Sequence, residues 1–302
     1  VKPAVERKAI VTMAGDHGVA AEGVSKYPPE VTTQMVCNFV NGGAGINVLA
    51  RLSAIKVVVV DTGVAGDLSE VAAAGKIISG KVAKGTQNIA KGAAMSKDQA
   101  VKTLETGIRL AVELSETTDV FGTGDMGIGN TTPSTAIAAT LTGLSAAKLT
   151  GRGTGIGDEQ LKHKIKIVEK SLKVNEPDPS DGIDVLAKVG GFEIGGIAGL
   201  ILGAASCRKP VVVDGFISTA GALIAQALSP ICTDYIIAAH CSVEPGHKTM
   251  LDRLGKYPLL DLQLRLGEGT GAALAMHLVD AAVRVLTEIS TFEQACVSKA
   301  DK

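Results

Sequence analysis

The chemistry this chain can do is concentrated in two glycine-rich stretches. In Leu266-Gly267-Glu268-Gly269-Thr270-Gly271 a carboxylate stands between glycines at the mouth of a long Ala/Leu helix that runs to about Ser290. Packing has little use for a carboxylate there, and the positive end of the helix favours its ionised form. Glu268 therefore reads as a general base, with helix capping as the alternative. In Gly122-Thr123-Gly124-Asp125-Met126-Gly127-Ile128-Gly129-Asn130-Thr131-Thr132 a β-prone run, residues 118–121, passes through glycines into a helix with Pro133 near its first turn. A strand, a glycine turn and a helix N-terminus bring free N–H groups close to a bound group, most commonly a phosphate. Gly127, Gly129, Asn130 and Thr131 are the candidates for that contact. A tight turn with no ligand is the alternative.

The second stretch also matches Gly-x-Gly-x-x-Gly. That fingerprint requires an acidic residue about 20 positions further on, to hold a ribose hydroxyl. No carboxylate occurs between Leu141 and Asp158, so a phosphate is expected and a dinucleotide is not. A further glycine cluster, Gly151-Arg152-Gly153-Thr154-Gly155-Ile156-Gly157, precedes a basic helix over 159–173 that carries Lys162, His163 and Lys164. A backbone nest with a lysine beside it suits a phosphate. Lys164 is the candidate, the other lysines reading as a solvated face.

Positioning these groups falls to a sheet. Apolar runs at 9–14, 55–61, 210–214 and 235–240 read as buried strands of a parallel sheet. They deliver Asp16, Asp61, Asp214 and His240 to one edge, where open α/β sheets bind ligands. Asp16 with His17 reads either as a metal or acid/base pair or as a hydrogen-bonding brace for the following loop, and Asp61 equally as a turn residue. Helical spacing marks 31–40, 46–52, 96–115, 133–141 and 218–228, and the glycine-laden run 190–205 suits a helix packed tightly on a neighbour. Residues 63–94 read as a long surface excursion.

With 302 residues, 46% hydrophobic content and 36 glycines, the chain is a globular α/β protein and not a disordered one. Its 30 basic and 31 acidic side chains give no reason to expect a nucleic acid or an acidic membrane surface as partner. Five cysteines without Cys-x-x-Cys spacing indicate free thiols in a reducing cytoplasm, and no zinc site. The apolar run 194–206 is short for a bilayer span, and the first residues form no signal peptide.

Six co-linear motifs carry a family resemblance from about residue 8 to 292. They are Asp16-His17-Gly18-Val19-Ala20-Ala21-Glu22-Gly23-Val24-Ser25 with Tyr27-Pro28, Met126-Gly127-Ile128-Gly129-Asn130-Thr131-Thr132, Gly151-Arg152-Gly153-Thr154-Gly155, Val213-Asp214-Gly215-Phe216, Ser242-Val243-Glu244-Pro245-Gly246-His247 and Leu266-Gly267-Glu268-Gly269-Thr270-Gly271. Together they resemble the nicotinate-nucleotide:dimethylbenzimidazole phosphoribosyltransferases of cobamide biosynthesis. The resemblance implies an α/β fold, a Rossmann-like, mostly parallel sheet flanked by helices, with a small helical domain from the chain ends. The large domain would span 8–265 and residues 266–302 would belong to the helical one, whose amino-terminal part is expected to be missing. It implies transfer of 5-phosphoribosyl from nicotinate mononucleotide to an aromatic base with inversion at the anomeric carbon, without metal or cofactor, in a cytoplasmic homodimer. Glu268 matches the general base. Ser25, Met126 and Leu266 match positions around the base, and Gly127, Gly153, Lys164, Asp214, Gly215 and Ser242 match positions around the nucleotide. Asp125 stands where the family usually has Glu, one methylene shorter, with a role at the base site or in support of Glu268. Some relatives pair unlike subunits and attach phenols, which leaves the acceptor and a paralogous partner open. A nucleotide-binding partner subunit and a nicotinamide-dependent oxidoreductase are the competing readings.

Overall fold

The computed structural model describes Pro3 and residues 5–298. The apolar, β-branched runs form β1 (Lys8–Gly15), β2 (Lys56–Gly63), β3 (Ile78–Ser79), β4 (Val120–Met126), β5 (Val211–Val213) and β6 (Ile236–Ala238). All pair in parallel, in the order β3-β2-β1-β4-β5-β6. This is the doubly wound Rossmann order, and the reversal of winding between β1 and β4 opens a crevice at the C-terminal ends of those strands. Two short strands beside it, β7 (His240–Ser242) and β8 (Leu260–Leu264), pair with each other in a separate sheet.

The helices are α1 (Val31–Val40), α2 (Gly45–Leu52), α3 (Ser69–Ala73), α4 (Lys97–Ser115), α5 (Thr131–Thr142), α6 (Ala146–Leu149), α7 (Asp158–Asn175), α8 (Gly182–Val189), α9 (Phe192–Ser206), α10 (Phe216–Leu228), α11 (Gly246–Leu254) and α12 (Thr270–Glu288). Side chains alternate across each strand, so the sheet feeds two cores. Val11 and Met13 of β1 and Phe121 of β4 face α4, α5 and α8–α10. Ile10 and Ala14 of β1 and Val120 of β4 face α1, α2 and α12.

Three segments depart from the sequence reading. The strand expected to end at Phe121 continues to Met126, so Gly122 and Gly124 lie inside β4 and the turn is only 127–130. Both glycines face α12. A Cβ on Gly122 would meet Ile10 and Met276 within 2.8 Å, and one on Gly124 would meet the Glu268 carbonyl at 2.3 Å. The apparent fingerprint is thus room for the C-terminal segment, and no dinucleotide turn. The run 235–240 is broken at Ala239, which places His240 in β7 instead of the main sheet. Residues 63–94 are no surface excursion, since Thr86, Ile89, Ala90 and Ala94 are buried and Thr86 N–H donates to the Asp16 carbonyl.

Local signals are otherwise obeyed. Ser96 and Gln99 form a reciprocal capping box at the start of α4. α12 is long and apolar enough to cross a membrane by length and composition, but its first turns, with Ala272, Ala273, Ala275 and Met276, are buried on the sheet. Glycines in α9 admit α4 at backbone contact, a Cβ on Gly199 falling 2.0 Å from the Leu104 carbonyl. Gly199→Val is expected to force the two helices apart and destabilise the protein by about 1–3 kcal/mol, read as a lowered midpoint of chemical denaturation.

Candidate active site

The segment that carries Glu268 crosses the C-terminal end of β4 in an unusual backbone conformation. Gly267, Glu268 and Gly269 all have positive φ, at 75°, 65° and 99°. Glycine accepts this freely, whereas a left-handed glutamate costs about 1–2 kcal/mol. Neighbours hold it in place. Thr12 Oγ1 of β1 donates to the Glu268 carbonyl at 3.0 Å. Asp214, just after β5, accepts from Gly269 N–H at 3.3 Å and Ala272 N–H at 2.9 Å, so it caps the start of α12. The Glu268 carboxylate turns away from α12: Oε2 accepts from Ile46 N–H at 2.9 Å, at the N-terminus of α2. The Gly45 amide, one residue earlier, also stabilises the carboxylate. The helix-terminal stabilisation expected of this carboxylate comes from α2 and not from its own helix.

Glu268 lines a cavity of about 920 Å3 at the switch point. Of the residues singled out in the sequence, Ser25, Asp125, Met126, Gly127, Gly129, Asn130, Thr131, Gly153, Gly215, Ser242 and Leu266 line it as well. Leu266 is 60% exposed at its mouth. The 24–27 loop leans on the glycine loop, with Lys26 N–H donating to Thr154 Oγ1 at 3.3 Å. Asn130 does not cap α5 with its side chain; its Nδ2 donates to Asp125 Oδ2 at 3.0 Å instead. Lys164 stands behind the wall, donating to Thr131 Oγ1 at 2.6 Å and to the Gly151 carbonyl at 3.4 Å. Asp214 does not form part of the lining either, being committed to α12.

Of the four strand-end groups expected to converge, only His240 reaches the cavity. Asp16 accepts from Ala65 N–H at 2.7 Å, and Asp61 pairs with Lys81 at 3.0 Å while accepting from Val64 N–H. These are braces for the turns that follow β1 and β2. His17 meets a partner the sequence reading passes over, Glu193 of α9, at 2.7 Å, with both side chains buried. A single acidic residue in an otherwise apolar, glycine-rich helix is the signal for it. Glu244 stands out in the sequence only as part of its motif, yet it lines the cavity and accepts from Gly153 N–H at 2.8 Å. Behind Ser242, its N–H donates to His247 Nδ1 at 2.8 Å and His247 Nε2 lies 2.9 Å from Thr219 Oγ1. Burial pushes His247 down to about 3, so the ring is neutral and serves as a strut.

Burial dominates the electrostatics. It raises Asp125 to about 7, reinforced by Asp214, Glu193 and Glu268 and opposed by Asn130. It raises Asp214 to about 7 against the amides of Ala272, Gly269 and Gly271. It raises Glu268 above the usual carboxylate range, against the amides of Ile46 and Gly45. It lowers Lys164 to about 8, with Glu244 opposing. Burial also pulls His17 down, but the Glu193 carboxylate outweighs it and leaves His17 raised. The cavity thus brings two carboxyls of raised basicity, Glu268 and Asp125, beside a glycine turn at the N-terminus of α5, an arrangement suited to proton handling next to a bound anion.

Fold and cavity together define a parallel α/β protein with a glycine-walled cavity at the switch point of its sheet, a place that suits a phosphorylated ligand, with carboxyls of raised basicity in its lining. Comparison with known proteins narrows this. The profile of a family described as phosphoribosyltransferase matches residues 1–297. The chain is 61% identical over 299 residues to the nicotinate-nucleotide–dimethylbenzimidazole phosphoribosyltransferase of Syntrophotalea carbinolica, covering 99% of this chain and 85% of that one. It is 58% identical over 303 aligned positions to the protein of the same name from Desulfotalea psychrophila, covering 100% and 85%. The crystal structure of CobT from Thermus thermophilus superposes with a TM-score of 0.93 at 45% identity, covering 99% of this chain and 89% of that one. The chain belongs to the nicotinate-nucleotide–dimethylbenzimidazole phosphoribosyltransferase family.

Asp125 and Asp214 have a testable cost. A carboxyl whose folded-state value is raised holds its proton in the native state between about pH 4 and about 7, where the unfolded chain has lost it. Stability then falls as pH rises through that window and stays lower above it. Asp125→Asn keeps the shape and removes the charge, so it is expected to be more stable than the parent at neutral pH, by on the order of 2 kcal/mol. The advantage should vanish as pH falls toward 4, as urea denaturation at several pH values would show.

Proposed function

We propose that this protein transfers the 5-phosphoribosyl group of nicotinate mononucleotide to a benzimidazole-type base, giving an α-ribotide and nicotinate. The observation that carries the reading is that Glu268 shares one cavity with the 127–131 turn and the 153–155 loop. The names of the relatives supply the donor and acceptor.

In this reaction the bond from the anomeric carbon to the nicotinate nitrogen breaks, and its electron pair neutralises the pyridinium. Departure therefore needs little acid catalysis. A ring nitrogen of the base attacks the opposite face and forms the new bond, and Glu268 takes the proton of the base's ring N–H. Burial makes Glu268 a better proton acceptor than an exposed glutamate, while the α2 amides hold it in position. What remains is alignment, for which the cavity supplies the walls. No step draws on a metal or cofactor.

Ser25, Met126 and Leu266 take the base; Gly127, Gly129, Asn130, Thr131, Gly153, Gly215 and Ser242 take the nucleotide. Lys164 acts through Thr131 and the glycine loop, and Asp214 by anchoring α12. Asp125, hydrogen-bonded to Asn130 and with its carboxyl raised by burial, supports the base site next to Glu268. The reading includes a homodimer and a small domain formed around residues 266–302, of which 299–302 lie outside the described residues. Exposed Val48 and Leu52 of α2 and Leu278, Val285 and Leu286 of α12 favour both, being apolar surface in need of cover. Five free cysteines favour a cytoplasmic location.

The test is a product assay by mass spectrometry with nicotinate mononucleotide as donor and dimethylbenzimidazole, adenine, phenol and p-cresol as separate acceptors. An α-ribotide of the benzimidazole is the expected product, and no product with any acceptor would refute the activity. Glu268→Gln is expected to retain the nucleotide while turnover falls about 10²–10⁴-fold. Near-normal turnover in that variant would remove Glu268 from the role of base.

A further inference from the structure

Glu244 is a buried carboxylate that the proposed chemistry leaves unused. It stands in the partition between the main cavity and a second one of about 570 Å3. Its Oε1 accepts from Gly153 N–H at 2.8 Å, while Oε2 is buried without a partner among the described residues. The Lys164 ammonium meets the same loop, donating to the Gly151 carbonyl at 3.4 Å and to Thr131 Oγ1 at 2.6 Å. The 151–153 backbone is therefore held between a buried cation on a carbonyl and a buried anion on an amide. Glu244 also fills the space beside the loop, since a Cβ on Gly151 would fall 2.0 Å from Oε2. An amide that donates to Glu244 is not free for a phosphate oxygen. A phosphate placed beside Lys164 would also stand against the carboxylate's charge.

We propose that Glu244 is a positioning residue that competes with the nucleotide's 5′-phosphate for Gly153 N–H, holding this amide until the phosphate displaces it. The proposal rests on reading the 151–155 loop as the phosphate subsite. The carboxylate keeps the loop in shape and gives Lys164 a nearby counter-charge, so less ordering is left for the moment of binding.

Calorimetric binding of inorganic phosphate, nicotinate mononucleotide and the unphosphorylated nicotinate riboside to the full chain tests this. Measurements are made below about pH 8, the lowered value of Lys164, so that its ammonium is retained. Glu244→Gln keeps the acceptor and the shape but loses the charge. It is expected to bind phosphate and the mononucleotide about tenfold more tightly, with riboside affinity unchanged. Glu244→Asp, which withdraws the carboxylate by one methylene, is expected to shift phosphate affinity the same way by less, and serves if the glutamine variant does not fold. Phosphate binding equal to or weaker than the parent's in whichever variant folds overturns the proposal, as does an equal gain for the riboside. Absence of phosphate binding in the parent as well removes the subsite reading and the proposal with it.

Discussion

One residue in a disfavoured backbone conformation organises the site. Glu268 adopts a left-handed φ between two glycines that do the same, and it stays there because three separate elements grip the segment. β1 grips its carbonyl through Thr12, Asp214 grips the start of α12, and the α2 N-terminus grips one carboxylate oxygen. None of these contacts is local in sequence. Gly124 belongs to the same arrangement, since only a residue without a side chain lets the Glu268 carbonyl lie on β4. The strain is small beside the packing of α12 and is compensated over the whole C-terminal segment.

The same neighbourhood concentrates negative charge. Asp125, Asp214, Glu193 and Glu268 are all buried around the crevice; the other three raise the cost of ionising Asp125, and Glu268 raises that of Asp214. Amides, one asparagine and one histidine offset this only partly. Sites that must handle a proton are built in this way, because a carboxylate surrounded by its own kind in a poorly solvated place is the one ready to accept it. Lys164 is the opposite case, a buried cation kept charged mainly by one carboxylate.

Much of this is legible in the amino-acid order. Apolar runs ending in polar residues reveal the parallel sheet, and glycines around Glu268 and after Met126 locate the walls of the cavity. Misreadings share a cause. Gly122 and Gly124 resemble a turn because a glycine that makes room for a distant segment looks the same as one that turns the chain. The run 235–240 looks like one strand, since nothing in its composition tells that Ala239 leaves one sheet and His240 joins another. Asp214 is expected at the ligand, yet it binds amides 55 and 58 positions away, and long-range capping leaves no periodic trace. Glu193 is hidden by the apolar helix that surrounds it.

The side sheet carries one more consequence. β7 contains Ser242 and begins with His240, while β8 runs directly into Leu266 and Glu268, and the two strands are joined through the pairings His240↔Leu260 and Ser242↔Leu264. Two walls of the cavity are thus strands of one small, irregularly paired sheet, not independent loops. Widening the mouth near Leu264 to admit a bulkier ring would drag Ser242 with it. In this architecture the two walls share one backbone framework, so a displacement of one is transmitted to the other.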